Sequence, residues 1–207
     1  MKLYYLPGAC SMASHIVMNE IGKSVTLVKV DLQSQTTDEG EDYRKVSPNG
    51  YVPALQLADG NILTENIALL TYLAEGHDAG ELALPDGRLA KAKVLSLLSF
   101  LTSELHKSYS PFFQQSPLEG AEKDAAIAKV EKRIAYVDSL LDDGRPYLTG
   151  ENFSIADAYA FTILNWSGMV GVSLEKWPRV GQLMQRIGHR SAVQKAMLAE
   201  GLIEQAA

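Results

Sequence analysis

Apolar positions recur along the chain with two different periods, and the period changes once. Residues 2–6, KLYYL, form a short apolar run closed by Pro7-Gly8, which predicts a strand. From Ser11 the apolar positions Ile16, Val17 and Ile21 return at helical spacing, and Gly22 supplies a stop. Residues 25–30, VTLVKV, are rich in β-branched side chains and predict a second strand. The polar stretch QSQTTDEGEDYRKVSPNG has no strong period and room for a short helix. In VPALQLADGNILTEN, Asp59-Gly60 stands between two apolar runs, the pattern of a hairpin turn. Residues 65–73 then read as a helix. The predicted order is β-α-β-x-β-β-α.

Strand signals stop near residue 79. AGELALPDG carries Pro and Gly and reads as a linker. Beyond it, residues 88–109 bear Val94, Leu97, Leu98, Leu101 and Leu105 on one helical face. In residues 119–141, Ile127, Val130, Ile134, Val137 and Leu141 recur every three or four positions. FSIADAYAFTIL is almost wholly apolar and predicts a buried helix, and two further helical segments follow Pro178 and Arg190. An α/β part of residues 1–78, a linker of 79–86 and an all-helical part of 87–207 are expected.

Composition narrows the function classes. The 207 residues carry 19 basic and 25 acidic side chains, a net charge of −6. The acidity is concentrated in residues 1–78, with 5 basic against 10 acidic residues. With no Lys/Arg block, neither nucleic acid nor an anionic membrane surface is an expected partner. No apolar run approaches the length of a membrane span, and the N-terminus lacks the pattern of a signal peptide. A single cysteine, Cys10, closes no internal disulfide and fits a reducing compartment, so a cytoplasmic location is expected. The four histidines are scattered without metal-ligand spacing, so no metal is expected.

Four places carry candidate chemistry. Cys10 follows the first strand and opens the first helix, where unpaired N–H groups and the dipole favour a thiolate. The alternative is a small packing residue. Val52-Pro53 stands directly before a strand, where proline is tolerated. Thr64-Glu65-Asn66 opens another helix and reads either as a cap or as a cradle for a ligand bearing a carboxylate and an ammonium. Ser99, Ser103 and His106 form a polar stripe opposite the leucine face, either solvated surface or one wall of a cleft.

In their order and spacing, YLPGACSMASHI, SPNGYVPALQLADGNILTEN, TSELHKSYSP and FSIADAYAFTIL resemble the glutathione transferases, most closely the bacterial beta class. The resemblance covers essentially the whole chain. It implies a thioredoxin-like N-terminal domain followed by an all-helical domain, with glutathione as cosubstrate and a homodimeric assembly. It implies that Cys10 contacts the glutathione sulfur, with Ser11 and His106 as further catalytic donors. Val52 would pair through its backbone with the cysteinyl unit, beside a cis Pro53 and Tyr51. Glu65 and Asn66 would hold the γ-glutamyl end, and Ser99, Ser103, Glu104, His106 and Lys107 would reach the same ligand. Two positions depart from the family: Gln35 stands where a lysine is common, and Ser99 where an asparagine is common. Ser154 and Asp157 match a family capping box, a structural feature.

The implied activity is conjugation of the glutathione thiolate to an electrophilic, mostly apolar small molecule. Tyr109, Phe112 and Phe113 are candidates for lining its pocket, or ordinary core aromatics. Two other functions fit the same residues: thiol transfer or peroxide reduction through a Cys10–glutathione mixed disulfide, and a non-catalytic binding protein on the same fold.

Overall fold

The structure, a computed structural model, describes residues 1–114 and 116–204. It divides into two compact units. One comprises Met1–Leu84 together with the segment from His189 onward, and the other comprises Pro85–Gly188.

The first unit is built on a five-stranded sheet. Its strands are β1 (Lys2–Tyr5), β2 (Thr26–Asp31), β3 (Thr36–Thr37), β4 (Ala54–Gln56) and β5 (Ile62–Thr64), in the spatial order β3-β2-β1-β4-β5. β1 and β2 are parallel, joined through α1 (Ser11–Glu20). β4 pairs antiparallel with β1 on one side and with β5 on the other, Gln56 facing Ile62 across the hairpin. The Asp59-Gly60 turn works as its residue types require. Gly60 takes φ 88°, and the Asp59 carboxylate accepts from the Asn61 N–H at 3.0 Å. α2 (Asn66–Ala74) follows β5 directly. Leu3, Tyr4 and Tyr5 are all buried, so β1 is covered on both faces, whereas β2 alternates and keeps one open face. Tyr4, Val28, Val30, Tyr43, Val52 and Ala54 pack into one cluster, with Ala9 and Leu6 against it.

The period-free stretch 33–50 holds the two-residue β3 and a single 3-10 turn, Tyr43–Lys45, capped by the Asp42 carboxylate. Elements this short leave no period to detect.

The second unit is helical. α3 (Arg88–Phe100) runs into a π-helical segment, Leu101–His106, and then into α4 (Lys107–Tyr109). α5 (Gly120–Ser139), α6 (Ile155–Leu164) and α7 (Pro178–Gly188) complete it. All ten residues of α6 are buried. Asp138, itself buried, accepts from the N–H groups of Arg179 and Val180, both at 3.0 Å, and so caps the start of α7.

The structure corrects the division expected from sequence. α8 (Ser191–Ala199) packs on α1 and belongs to the first unit, so residues 87–207 are not one helical body. Arg190 makes two hydrogen bonds to the Glu20 carboxylate, at 2.6 and 3.0 Å, and Asn19 donates to the Ala192 carbonyl at 3.2 Å. Periodicity identifies α8 as a helix but says nothing about which body it covers. Residues 205–207 of that expected part lie outside the described residues.

Candidate active site

Cys10 is the N-cap of α1, and its side chain does not cap that helix end; the Met12 and Ala13 N–H groups donate to the carbonyls of Ala9 at 3.0 Å and Cys10 at 3.2 Å. The chain reaches it through Pro7-Gly8-Ala9, a turn closed by Ala9 N–H on the Leu6 carbonyl at 3.0 Å. The half-buried thiol donates to the Val52 carbonyl at 3.3 Å. The Val52-Pro53 peptide bond is cis. The preceding residue is anchored by its backbone alone. The Tyr51 carbonyl accepts from Tyr43 Oη at 2.8 Å and Ser47 Oγ at 3.1 Å, while the Tyr51 side chain is 70 % exposed.

The start of α2 reaches the same place. Glu65 is exposed and takes φ 67°, ψ 115°, a left-handed-side conformation that costs a non-glycine residue on the order of 1–3 kcal/mol. Such strained residues cluster at active sites and ligand clamps. Asn66 is buried, and both ends of its amide are used. Nδ2 donates to the Cys10 carbonyl at 2.6 Å, and Oδ1 accepts from Ser14 Oγ at 2.7 Å. Its side chain therefore ties the Cys10 carbonyl to Ser14. Thus Cys10, Val52, Pro53, Glu65 and Asn66, scattered over 57 positions, are brought to one corner of the sheet.

Three expected site residues are placed differently. Ser11 is fully buried, and its hydroxyl both accepts from the Leu6 N–H at 3.3 Å and donates to the Leu6 carbonyl at 3.2 Å. It staples the turn and presents no donor to a substrate. Gln35, at φ 57°, turns its amide inward: Nε2 donates to the carbonyls of Leu32 at 2.8 Å and Gly50 at 3.3 Å. Its Oε1 is buried without a partner, so no donor is left for a ligand carboxylate in this rotamer. Tyr109 is fully buried, with its hydroxyl on Ser167 Oγ at 2.7 Å, and burial pushes its phenol up to about 12. It is a core aromatic. Phe113, in contrast, is 55 % exposed, and Phe112 is half-buried.

In the helical unit, Ser99 and Ser103 are exposed and bond back to the carbonyls of Leu95 and Ser99, each at 2.8 Å. Glu104 pairs with Arg133, and Lys107 is exposed. Ser103, Glu104 and His106 all lie in the π-helical segment, the kind of helix irregularity that recurs at functional sites. His106 Nδ1 lies 2.8 Å from the Tyr159 hydroxyl, and its ring meets Trp166 edge-on at 5.0 Å. Burial, then the neighbouring Lys107 charge, lowers its pKa to about 4, so the imidazole is neutral at neutral pH. A neutral ring offers one N–H, on Nδ1 if the Tyr159 hydroxyl accepts and on Nε2 if it donates.

A pH prediction follows from this ring. His106 charges in the unfolded chain near pH 6.5 but in the fold only near 4. Its contribution to stability is complete above about pH 6.5 and is lost as the pH falls through about 4. NMR titration of the ring should give a midpoint near 4 and no step between about pH 5.5 and 8. A midpoint at the ordinary histidine value contradicts the burial argument.

Sequence reasoning missed Ser14, His15, Tyr159 and Glu200. Ser14 lies four residues after Cys10, a helical neighbour. The others meet their partners only through tertiary packing.

Residues 8–75 match the family described as glutathione S-transferase, N-terminal domain, and residues 92–191 its C-terminal domain. The chain is 43 % identical over 202 residues to the glutathione S-transferase GstA of Escherichia coli O157:H7, covering 98 % of this chain and all of the relative. Among solved structures it is similar to a beta class glutathione S-transferase from Sphingomonas chungbukensis, at 40 % identity and a TM-score of 0.92 over 98 % of this chain and all of the other. A sphingomonad glutathione S-transferase complexed with glutathione aligns at 42 % identity and a TM-score of 0.91, with the same coverage.

Proposed function

The chain belongs to the glutathione S-transferase family, and from that premise we propose that it holds glutathione at the Cys10–Val52–Glu65 corner and presents its thiolate to an electrophilic, mostly apolar small molecule. The chain is a glutathione transferase, with the thioredoxin-like sheet unit and helical unit of the family. The observation that carries the site is the convergence of three backbone devices: the N-terminus of α1 at Cys10, the Val52 carbonyl, and the positive-φ Glu65.

Each device suits one part of a γ-glutamyl tripeptide. The Val52 backbone pairs with the cysteinyl unit as a strand edge pairs with an extended peptide. The exposed Glu65 carboxylate matches the γ-glutamyl ammonium, and the α2 N-terminus matches its carboxylate. The α1 N-terminus faces the thiolate that must form, and a higher thiolate fraction at working pH raises the rate. The family resemblance adds Tyr51, Ser99, Ser103, Glu104, His106 and Lys107 as ligand contacts, with His106 acting as a neutral donor. Phe112 and Phe113 are proposed to line the electrophile pocket. A homodimer in the cytoplasm, acting in detoxification, completes the proposal.

Gln35 tests the binding mode. Its amide is committed to Leu32 and Gly50, so the glycyl carboxylate lacks the charged partner that a lysine supplies. Calorimetric titration of glutathione into Gln35→Lys should show binding about fivefold tighter than wild type. Unchanged or weaker binding contradicts this placement of the glycyl end.

A second reading is favoured by the chemical nature of Cys10. The Cys10 thiolate attacks the glutathione sulfur of a mixed disulfide between glutathione and another thiol, forms a Cys10–glutathione mixed disulfide and releases that other thiolate. A glutathione thiolate then attacks the glutathione sulfur of the Cys10–glutathione disulfide, regenerates the Cys10 thiolate and leaves as glutathione disulfide.

A further inference from the structure

One buried carboxylate is not used by the mechanism above. Glu200 follows α8, and its side chain is fully buried. Its two oxygens have different partners. Oε2 accepts from the Gly8 N–H at 2.8 Å, and Oε1 lies 2.9 Å from His15 Nδ1. Gly8 is two residues before Cys10 and His15 five after it, so one carboxylate grips the cysteine-bearing turn and the helix it opens.

Burying a carboxylate costs several kcal/mol unless its lone pairs are satisfied. Here the expensive group is placed on the short turn that carries the thiol, 192 positions away in sequence. The turn itself is demanding. Gly8 takes φ 70°, and a Cβ there would lie 3.3 Å from Leu202 Cδ2. Glu200 and Leu202 thus bound Gly8 from the same C-terminal segment, one by hydrogen bond and one by contact. Asn66 holds the Cys10 carbonyl from another direction.

We propose that Glu200 is a positioning residue for Cys10: through Gly8 and His15 it fixes the turn so that the thiol stays on the Val52 carbonyl. This rests on the proposed function only for its effect on turnover. The device is geometric, so glutamine can replace glutamate: its oxygen still accepts from the Gly8 N–H, and its NH2 can donate to an unprotonated His15 Nδ1.

The test is alkylation of Cys10 by iodoacetamide, followed by intact mass, alongside conjugation kinetics, all well below each variant's melting temperature. Glu200→Ala should alkylate about fivefold faster than wild type and lose about threefold in kcat/KM, less than the loss of Cys10 itself, because a loosened turn frees and misplaces the thiol. Glu200→Gln should recover most of both. Arg190→Ala, which loosens α8 on α1 without touching Glu200, should lower the melting point and leave the alkylation rate at the wild-type value. Should Glu200→Ala not fold, Glu200→Asp, whose shorter side chain cannot reach the Gly8 N–H and His15 Nδ1 together, should also accelerate alkylation. Wild-type alkylation in Glu200→Ala or Glu200→Asp, or an acceleration in Arg190→Ala equal to theirs, overturns the proposal. Accelerated alkylation in an enzyme without conjugating activity would uphold it while removing the proposed function.

Discussion

Replacing Asp157 by alanine should lower stability by about 3 kcal/mol, a fall of about 9 °C in melting point for a chain of this length. Asp157 is fully buried at the start of α6. Its Oδ2 accepts from the Ser154 N–H at 2.9 Å and the Ser154 hydroxyl at 2.6 Å, and its Oδ1 accepts from the Leu148 N–H at 2.8 Å. The variant loses the capping box and also leaves the Leu148 donor buried and unpaired. Because all of α6 is buried, water cannot take over either role.

Burial raises the Asp157 carboxyl to about 6, against the pull of these hydrogen bonds. A raised acid means that the folded state keeps a proton the unfolded state releases. The contribution is therefore complete below about pH 4 and lost as the pH rises through about 6. The stability gap between wild type and Asp157→Ala should widen as the pH falls from 7 to 4, the opposite sense to His106. Turnover per folded molecule should change by less than about twofold, since no site residue touches this box. An unchanged melting point, or a loss of turnover without one of stability, contradicts the structural role.

Replacing Cys10 by alanine should abolish exchange with disulfide substrates, by at least about a thousandfold. The chain has no second cysteine to substitute. Conjugation should fall less, by about tenfold, because the α1 N-terminus and the Val52 carbonyl are backbone features that survive the change. Mass spectrometry after incubation with glutathione disulfide should show one added glutathione on wild type and none on the variant. Modification of Cys10→Ala, or exchange activity that persists in it, contradicts the assignment of the nucleophile.

Legibility in the sequence followed the length of each element. α1, α5 and α6 are long enough to show a period, and the Asp59-Gly60 hairpin has a turn signal of its own. β3 has two residues, and the π-helical turn at Leu101 interrupts a leucine pattern that reads as one unbroken helix. The site was legible as residue types in order. Cys10, Val52-Pro53 and Glu65 were identifiable, and the structure brings them together. Side-chain direction was not. Ser11 and Gln35 are polar residues beside the site whose groups are spent on nearby backbone carbonyls and amides, Leu6 for one, Leu32 and Gly50 for the other. Nothing local distinguishes such a hydroxyl or amide from one facing a ligand. Glu200 was illegible for a different reason: its partners lie at the other end of the chain.

The central claim is that glutathione bound at this corner, and not Cys10, is the conjugating nucleophile. Its most direct test is the steady-state rate of glutathione addition to an aryl halide, measured for wild type and Cys10→Ala side by side. The account predicts saturable turnover in wild type, retained in part by the variant, with the product carrying the glutathione sulfur. No turnover in wild type, or none in a folded Cys10→Ala, would contradict it.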